Sequence, residues 1–250
     1  MPEPDLTYGE MPDEFSGLVP EGTGMRLPLL LCLDTSASMQ GEPIEALNKA
    51  LVQWADELHE DETLAYTVDI GLITFGAKGV NLWRGPQSLP PNSDPFVEAH
   101  MFEPPTLVAA DKTPMGEAVE LMIKVIEGRK KLLRSKGRSY YRPQVCLITD
   151  GWPTDRWQHL GEVLAAQEQE RKFRLYALGV GSISERGQRV LQSFAPKFNA
   201  RLDGFPFHDL LQLMSASAQD AKDGATEDVF ERRFQQYVGR KNHGQKPAFK

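Results

Sequence analysis

The sequence predicts an α/β fold, a doubly wound and mostly parallel sheet with helices on both faces. Three observations lead there. The short apolar runs "RLPLLLCLD" (26–34), "RPQVCLITDG" (142–151) and "FRLYALGVG" (173–181) lack an alternating polar side, as strands covered on both faces do. Segments with apolar residues three and four apart lie between them, so strand and helix alternate nearly throughout. The 250 residues, 40% apolar and 25% charged, suffice for one large α/β domain or two small ones, and no internal repeat divides them.

Taken in order, residues 1–24 carry six acids, several Pro and Gly, and no Lys or Arg, which reads as an acidic, flexible lead-in. The body spans 25–222. After the first strand, Ile44, Leu47, Leu51, Trp54 and Leu58 mark one face of an amphipathic helix, with Trp54 in the core, and Pro43 suits its first turn. Residues 65–78, "AYTVDIGLITFGAK", read as a strand and "GVNLWRG" as its hairpin return. A Pro-rich stretch follows over 86–114, long enough to carry function or short elements of its own. Helical spacing resumes at Met115 and runs through Val119, Met122, Ile126 and Leu133. The stretches 154–172, 184–195 and 208–219 read as further helices, and 198–202 as a short edge strand. Residues 223–250 form a tail with one amphipathic segment, "DVFERRFQQYV", and a basic end.

Composition narrows the function. A formal charge of -7 argues against nucleic acid as the main partner. No apolar run approaches the ~20 residues of a membrane span, and the start of the chain lacks the marks of a signal peptide. Cys32 and Cys146 lie in apolar strands without partners at metal-ligand spacing, as buried free thiols do, and cytoplasmic residence is the expectation. The five histidines are scattered, which disfavours a Cys/His zinc site.

In an open parallel sheet, ligands gather outside the carboxyl ends of the strands where the strand order reverses. Two apolar strands end there in an acid, Asp34 and Asp150. Either alone could be a helix cap or an ordinary loop residue. The run "DTSAS" adds more, because Asp34, Ser36 and Ser38 occupy alternate positions as the chain leaves its strand, and alternate side chains share a side. A carboxylate and two hydroxyls are hard oxygen donors, the type that suits Mg²⁺, Mn²⁺ or Ca²⁺.

"DTSAS" after a buried strand resembles the D-x-S-x-S metal-ion-dependent adhesion motif of the von Willebrand factor type A domain. Thr113 in "DKTPMGEA" and Asp150 in "LITDG" stand where that family completes the motif, and the resemblance covers 25–219. Through "LDTSASMQGEPIEALN", "ITFGAKGVNL", "FEPPTLVAADKTPMGEAV" and "RPQVCLITDGWPTD" the chain is similar to bacterial tellurium-resistance Y-type (TerY-like) proteins. The resemblance implies a Rossmann-like fold and a divalent ion, Mg²⁺ or else Mn²⁺ or Ca²⁺. Ser36 and Ser38 would bind it through their hydroxyls and Thr113 directly or through water, while Asp34 and Asp150 act through bound water and hydrogen bonds. It further implies a non-enzymatic docking site for a partner protein's carboxylate, and an adaptor role beside kinase, phosphatase or ATPase subunits in a stress, tellurium-resistance or defence system. The competing class is a metal-dependent phosphohydrolase with Asp34 as nucleophile; such an enzyme usually wants a second acid two residues on, where Ser36 stands.

Two positions depart from the family pattern. Ala37 replaces a frequent Gly, a costly exchange if the position needs a positive φ. Asp111 and Lys112 precede Thr113, so Asp111 is expected to add charge near the ion and Lys112 to cover the site or meet an acidic partner. Trp152 and Trp157 flank Asp155 as a rim, with Trp157 better read as helix packing, and "GVGS" (179–182) reads as a tight turn rather than a phosphate loop.

Overall fold

The structure, a computed structural model, describes residues 24–85 and 94–242. The acidic lead-in up to residue 23, part of the Pro-rich stretch and the basic end beyond 242 lie outside them. Among the described residues the strands β1 (Leu27–Thr35), β2 (Val68–Gly76), β3 (Gly79–Leu82), β4 (Val97–Glu98), β5 (Gln144–Thr149), β6 (Arg174–Gly179) and β7 (Asn199–Arg201) form one seven-stranded sheet. Its order is β3-β2-β1-β5-β6-β7, with β4 on β2. The pairs made by β1 with β2 and β5, and by β6 with β5 and β7, are parallel; β3 and β4 run antiparallel to β2. The doubly wound α/β fold is therefore present.

The apolar character of β1 follows from its central place. All nine of its residues are buried. Leu27, Leu29, Leu31 and Leu33 face a cluster that includes the apolar sides of α1 (Glu42–Glu60) and α6 (Phe207–Lys222). Leu30 and Cys32 face the opposite cluster, built on α3 (Met115–Ser135), α4 (Leu160–Gln169) and α5 (Glu185–Phe194). Trp54 is fully buried on the first face, as expected.

Several boundaries differ from the sequence reading. The first three residues of the strand expected from 65 belong instead to a short helix α2 (Glu62–Thr67). Asp61 nucleates it by accepting from the N–H groups of Thr63 and Leu64, both at 2.9 Å, which outweighs local strand propensity. The helix expected from 154 starts only at Leu160, because residues 150–159 form a loop with other duties. The amphipathic segment expected in the tail is the 16-residue helix α7 (Glu227–Asn242), which is no free tail but packs on the body. Phe230, Phe234 and Tyr237 are buried in the α1/α6 cluster. Glu227 binds Arg174 at 2.8 Å and Arg142 at 3.1 Å, and the Arg174 guanidinium lies 3.5 Å from the Phe230 ring centre.

At the amino ends of β1 and β2 the sheet is closed by charge. Asp69 is fully buried and receives Arg26 Nε at 3.1 Å and an Arg129 guanidinium nitrogen at 2.6 Å. Arg129 also binds Asp94, and Arg26 reaches Glu98 at 3.4 Å. A buried ion pair adds little over an apolar pair, but removing one partner strands the other. Asp69→Ala, which takes the buried shared acceptor from two guanidinium groups and leaves them only Asp94 and Glu98, should cost about 3–5 kcal/mol in urea unfolding. Phe234→Ala should cost about 3–5 kcal/mol, showing that α7 unfolds with the body; a separate early transition for α7 would contradict this.

Candidate metal centre

Because the chain runs from β1 outward to β2 and β3 and then crosses back to β5, the strand order reverses between β1 and β5. Their register, with Leu33 beside Ile148, carries both strands to the same edge. Asp34 and Asp150 emerge there.

Asp34 is only 1% exposed. Its Oδ1 accepts the Ser36 N–H at 2.8 Å, and its Oδ2 accepts the hydroxyl of Thr149, the last residue of β5. The chain then makes a 3-10 turn over Ala37–Met39. That turn brings Ser36 Oγ and Ser38 Oγ to 3.1 Å, and Ser38 Oγ donates to Asp150 Oδ1 at 2.7 Å. Thr113, itself 7% exposed, comes from the loop before α3. A Cβ placed on Gly151 would lie 3.5 Å from Thr113 Oγ1 and 3.6 Å from Asp34 Oδ2, so these oxygens border one small space. Asp34, Ser36, Ser38, Thr113 and Asp150 are thus gathered from three segments.

Neighbouring backbone fixes the loops that carry them. The Thr35 carbonyl accepts Ala77 N–H at 3.1 Å and Ala110 N–H at 2.9 Å. Gly76, at φ 141°, passes so close that a Cβ would lie 2.2 Å from the Thr35 carbonyl carbon; only glycine fits. Ala37 does not have a positive φ, so the cost anticipated there does not arise. Like Lys78, at φ 62°, Asp111 is left-handed, at φ 64°. Its carbonyl accepts Ala37 N–H at 3.0 Å and its carboxylate accepts Lys78 N–H at 3.0 Å. The Asp111 carboxylate therefore ties two loops together.

The loop after β5 holds Thr113 from the other side. Thr113 N–H donates to Thr154 Oγ1 at 3.1 Å, and the Thr113 carbonyl accepts Thr154 N–H at 2.9 Å. Asp155 accepts Gly116 N–H at 2.9 Å and Glu117 N–H at 2.8 Å, capping α3 from outside its own sequence. Gly116 has no room for a side chain, since a Cβ would meet the Arg156 carbonyl oxygen at 2.2 Å. Thr149, Thr154 and Asp155 are site residues the sequence reading missed. Thr149 was visible as the hydroxyl beside Asp150, whereas the partners of Thr154 and Asp155 lie about forty residues away and leave no local signal. Trp157 packs on Phe194 at 6.1 Å between ring centres and on Trp152 at 5.7 Å, so its packing role holds.

The donor set suits a hard divalent cation. All five side chains offer oxygen, and among the described residues no group of three His, Cys, Asp or Glu could serve instead, so hydroxyls must complete any ligand set. The two acids make no ion pair among the described residues. Burial pushes the Asp34 carboxyl up to about 6, against the opposing pull of its bonds to Ser36 and Thr149. Burial raises Asp150 as well, partly offset by Ser38. Two desolvated acids without a basic partner are the electrostatic mark of a place for positive charge.

Residues 29–152 match the model of the von Willebrand factor type A domain. No curated protein sequence matches the chain. Among solved structures, proximal thread matrix protein 1 from the mussel byssus is 16% identical at a TM-score of 0.52, covering 76% of this chain and 47% of its own. The pilus adhesin SpaC from Lactobacillus rhamnosus GG, in an open conformation, is 14% identical at 0.54, covering 80% and 30%. The vWF domain of the type V pili tip protein Mfa5 from Porphyromonas gingivalis is 8% identical at 0.50, covering 82% and 98%. At these identities the likeness is one of fold, and this chain spans about half of the mussel protein and under a third of the adhesin. The stretch that matches the von Willebrand factor type A domain model, from β1 to the loop after β5, supplies all five gathered side chains.

Proposed function

We propose that the chain is a non-enzymatic, divalent-metal-dependent protein-interaction module. The observation that carries this reading is the convergence of three hydroxyls and two desolvated acids, from distant segments, with neither acid in an ion pair among the described residues. Ser36, Ser38 and Thr113 would hold Mg²⁺ or Mn²⁺, or Ca²⁺, through hydroxyl oxygen, and Asp34 and Asp150 through water and hydrogen bonds. Such an ion, ligated mainly by neutral oxygens, keeps the Lewis acidity to take a carboxylate oxygen from a partner protein. Asp34 orients the Ser36 backbone, Asp150 orients the Ser38 hydroxyl, and Thr149 holds Asp34 in place.

The phosphohydrolase alternative is disfavoured on geometry. Asp34 is 1% exposed and each of its oxygens already accepts a hydrogen bond, so the carboxylate is not presented to an incoming phosphate. No helix among the described residues is long and apolar enough to cross a membrane. The free, fully buried thiols of Cys32 and Cys146 fit the reducing interior of a bacterial cell, where we place the protein. Its role there, as an adaptor for kinase, phosphatase or ATPase subunits in stress response, tellurium-type resistance or defence, rests on the likeness of its motif segments to TerY-like proteins.

Calorimetric titration with Mg²⁺ or Mn²⁺ tests the core of this reading. Ser36→Ala/Ser38→Ala should weaken binding by more than roughly tenfold while leaving the fold intact by circular dichroism. Equal binding by the two proteins would end it. The raised Asp34 carboxyl adds a pH test. The unfolded chain ionises this group near pH 4 and the folded chain near 6, so the metal-free protein should lose stability across that interval as pH rises. Metal binding uses the ionised form, so Mn²⁺ affinity should fall on acidification below about pH 6, with proton release on binding in that range.

A further inference from the structure

Beside the five gathered oxygens stands a cationic group that the fold does not need. Arg186, in the first turn of α5, is exposed, and its guanidinium lies 3.7 Å from the ring centre of half-buried Trp152, two residues after Asp150. The Trp152 ring is braced by Trp157, which is braced in turn by buried Phe194. The start of α5 is itself held against the site, since a Cβ on Gly187 would meet the Gly151 carbonyl oxygen at 2.8 Å. The guanidinium is thereby fixed in place next to the strand end that presents Asp150.

Stability does not explain this placement. A positive charge in the first turn of a helix opposes the helix dipole. Among the described residues Arg186 makes no ion pair, not even with the adjacent Glu185. A guanidinium held over an indole face has already given up much of its rotamer freedom while its N–H donors stay available, so binding a carboxylate costs it little. Exposed Lys112, next to Thr113, adds a second cation to the same end of the sheet. These charges stand out on a chain of net charge -7.

We propose that Arg186, stacked on Trp152, is a second anchor for the partner protein, receiving a carboxylate distinct from the one at the metal. The partner surface it fits is a segment with two acidic side chains spaced to reach both the ion and the Trp152 shelf. This inference rests on the metal-docking reading above and deepens it, by stating what separates a true partner from any exposed acid.

The test uses the full chain with Mn²⁺ and two synthetic peptides, one with a single glutamate in a neutral Gly/Ser sequence and one with a second glutamate at varied spacing. At the best spacing the second glutamate should tighten Mn²⁺-dependent binding by roughly fivefold. That gain should vanish in Arg186→Gln and return in part in Arg186→Lys, which restores charge without the planar stack. Mn²⁺ titration of the same variants separates a damaged metal site from a lost second contact. Equal affinity of the two peptides at every spacing, or a gain that survives Arg186→Gln, overturns the second anchor alone. Failure of both peptides to bind in a metal-dependent way overturns the docking reading and the anchor with it.

Discussion

An acid buried at the end of the central strand must be satisfied from within the protein, and the arrangement of the whole upper edge follows from how Asp34 meets that demand. One of its oxygens takes the N–H of its own departing chain at Ser36, the other the hydroxyl of Thr149 on the neighbouring strand. These bonds join the ends of β1 and β5 across the line where the strand order reverses. They also bend the chain toward the 3-10 turn that presents Ser38 to Asp150. The charge is only partly answered by such neutral donors, as the upward displacement of the Asp34 carboxyl records. The strand ends are well ordered by hydrogen bonds while an electrostatic demand is left over, and that remainder is what a cation can meet.

The same economy recurs in the surrounding loops, where several backbone groups near the site are claimed by neighbours from far along the chain. Thr35 receives two loops on one carbonyl. Asp111 adopts the left-handed backbone that short polar residues tolerate and uses it to join the turn after β2 to the turn after β1. Thr154 and Asp155 grip the chain on either side of Pro114. None of these groups would touch an ion, yet together they set the positions of the oxygens that would.

The fold was legible because strands covered on both faces and helices with one apolar face leave opposite signatures, and this chain carries both strongly. Asp34, Ser36 and Ser38 were legible through their two-residue spacing. What escaped depended on partners elsewhere. Asp61 turned "ETLAYT" into helix although Tyr66 and Thr67 favour strands. Residues 154–159 looked helical but are committed to holding Thr113 and capping α3. The spacing of Phe230, Phe234 and Tyr237 was visible, but docking of α7 also uses Arg174 and Arg142, residues from before and within the sheet's far half. Ala37 looked costly only while its backbone was assumed to be left-handed; the neighbour Asp111 carries that conformation instead.

Helix α3 is secured near both of its ends. Its first turn is gripped by Asp155 and pressed on the Arg156 carbonyl, and Arg129, toward its other end, is tied to Asp69 and Asp94. Two fastenings oppose sliding or pivoting of this rod. A partner that met the rim beside Thr113 would find its mould already cast in the free protein, with little entropy of that helix left to lose on association.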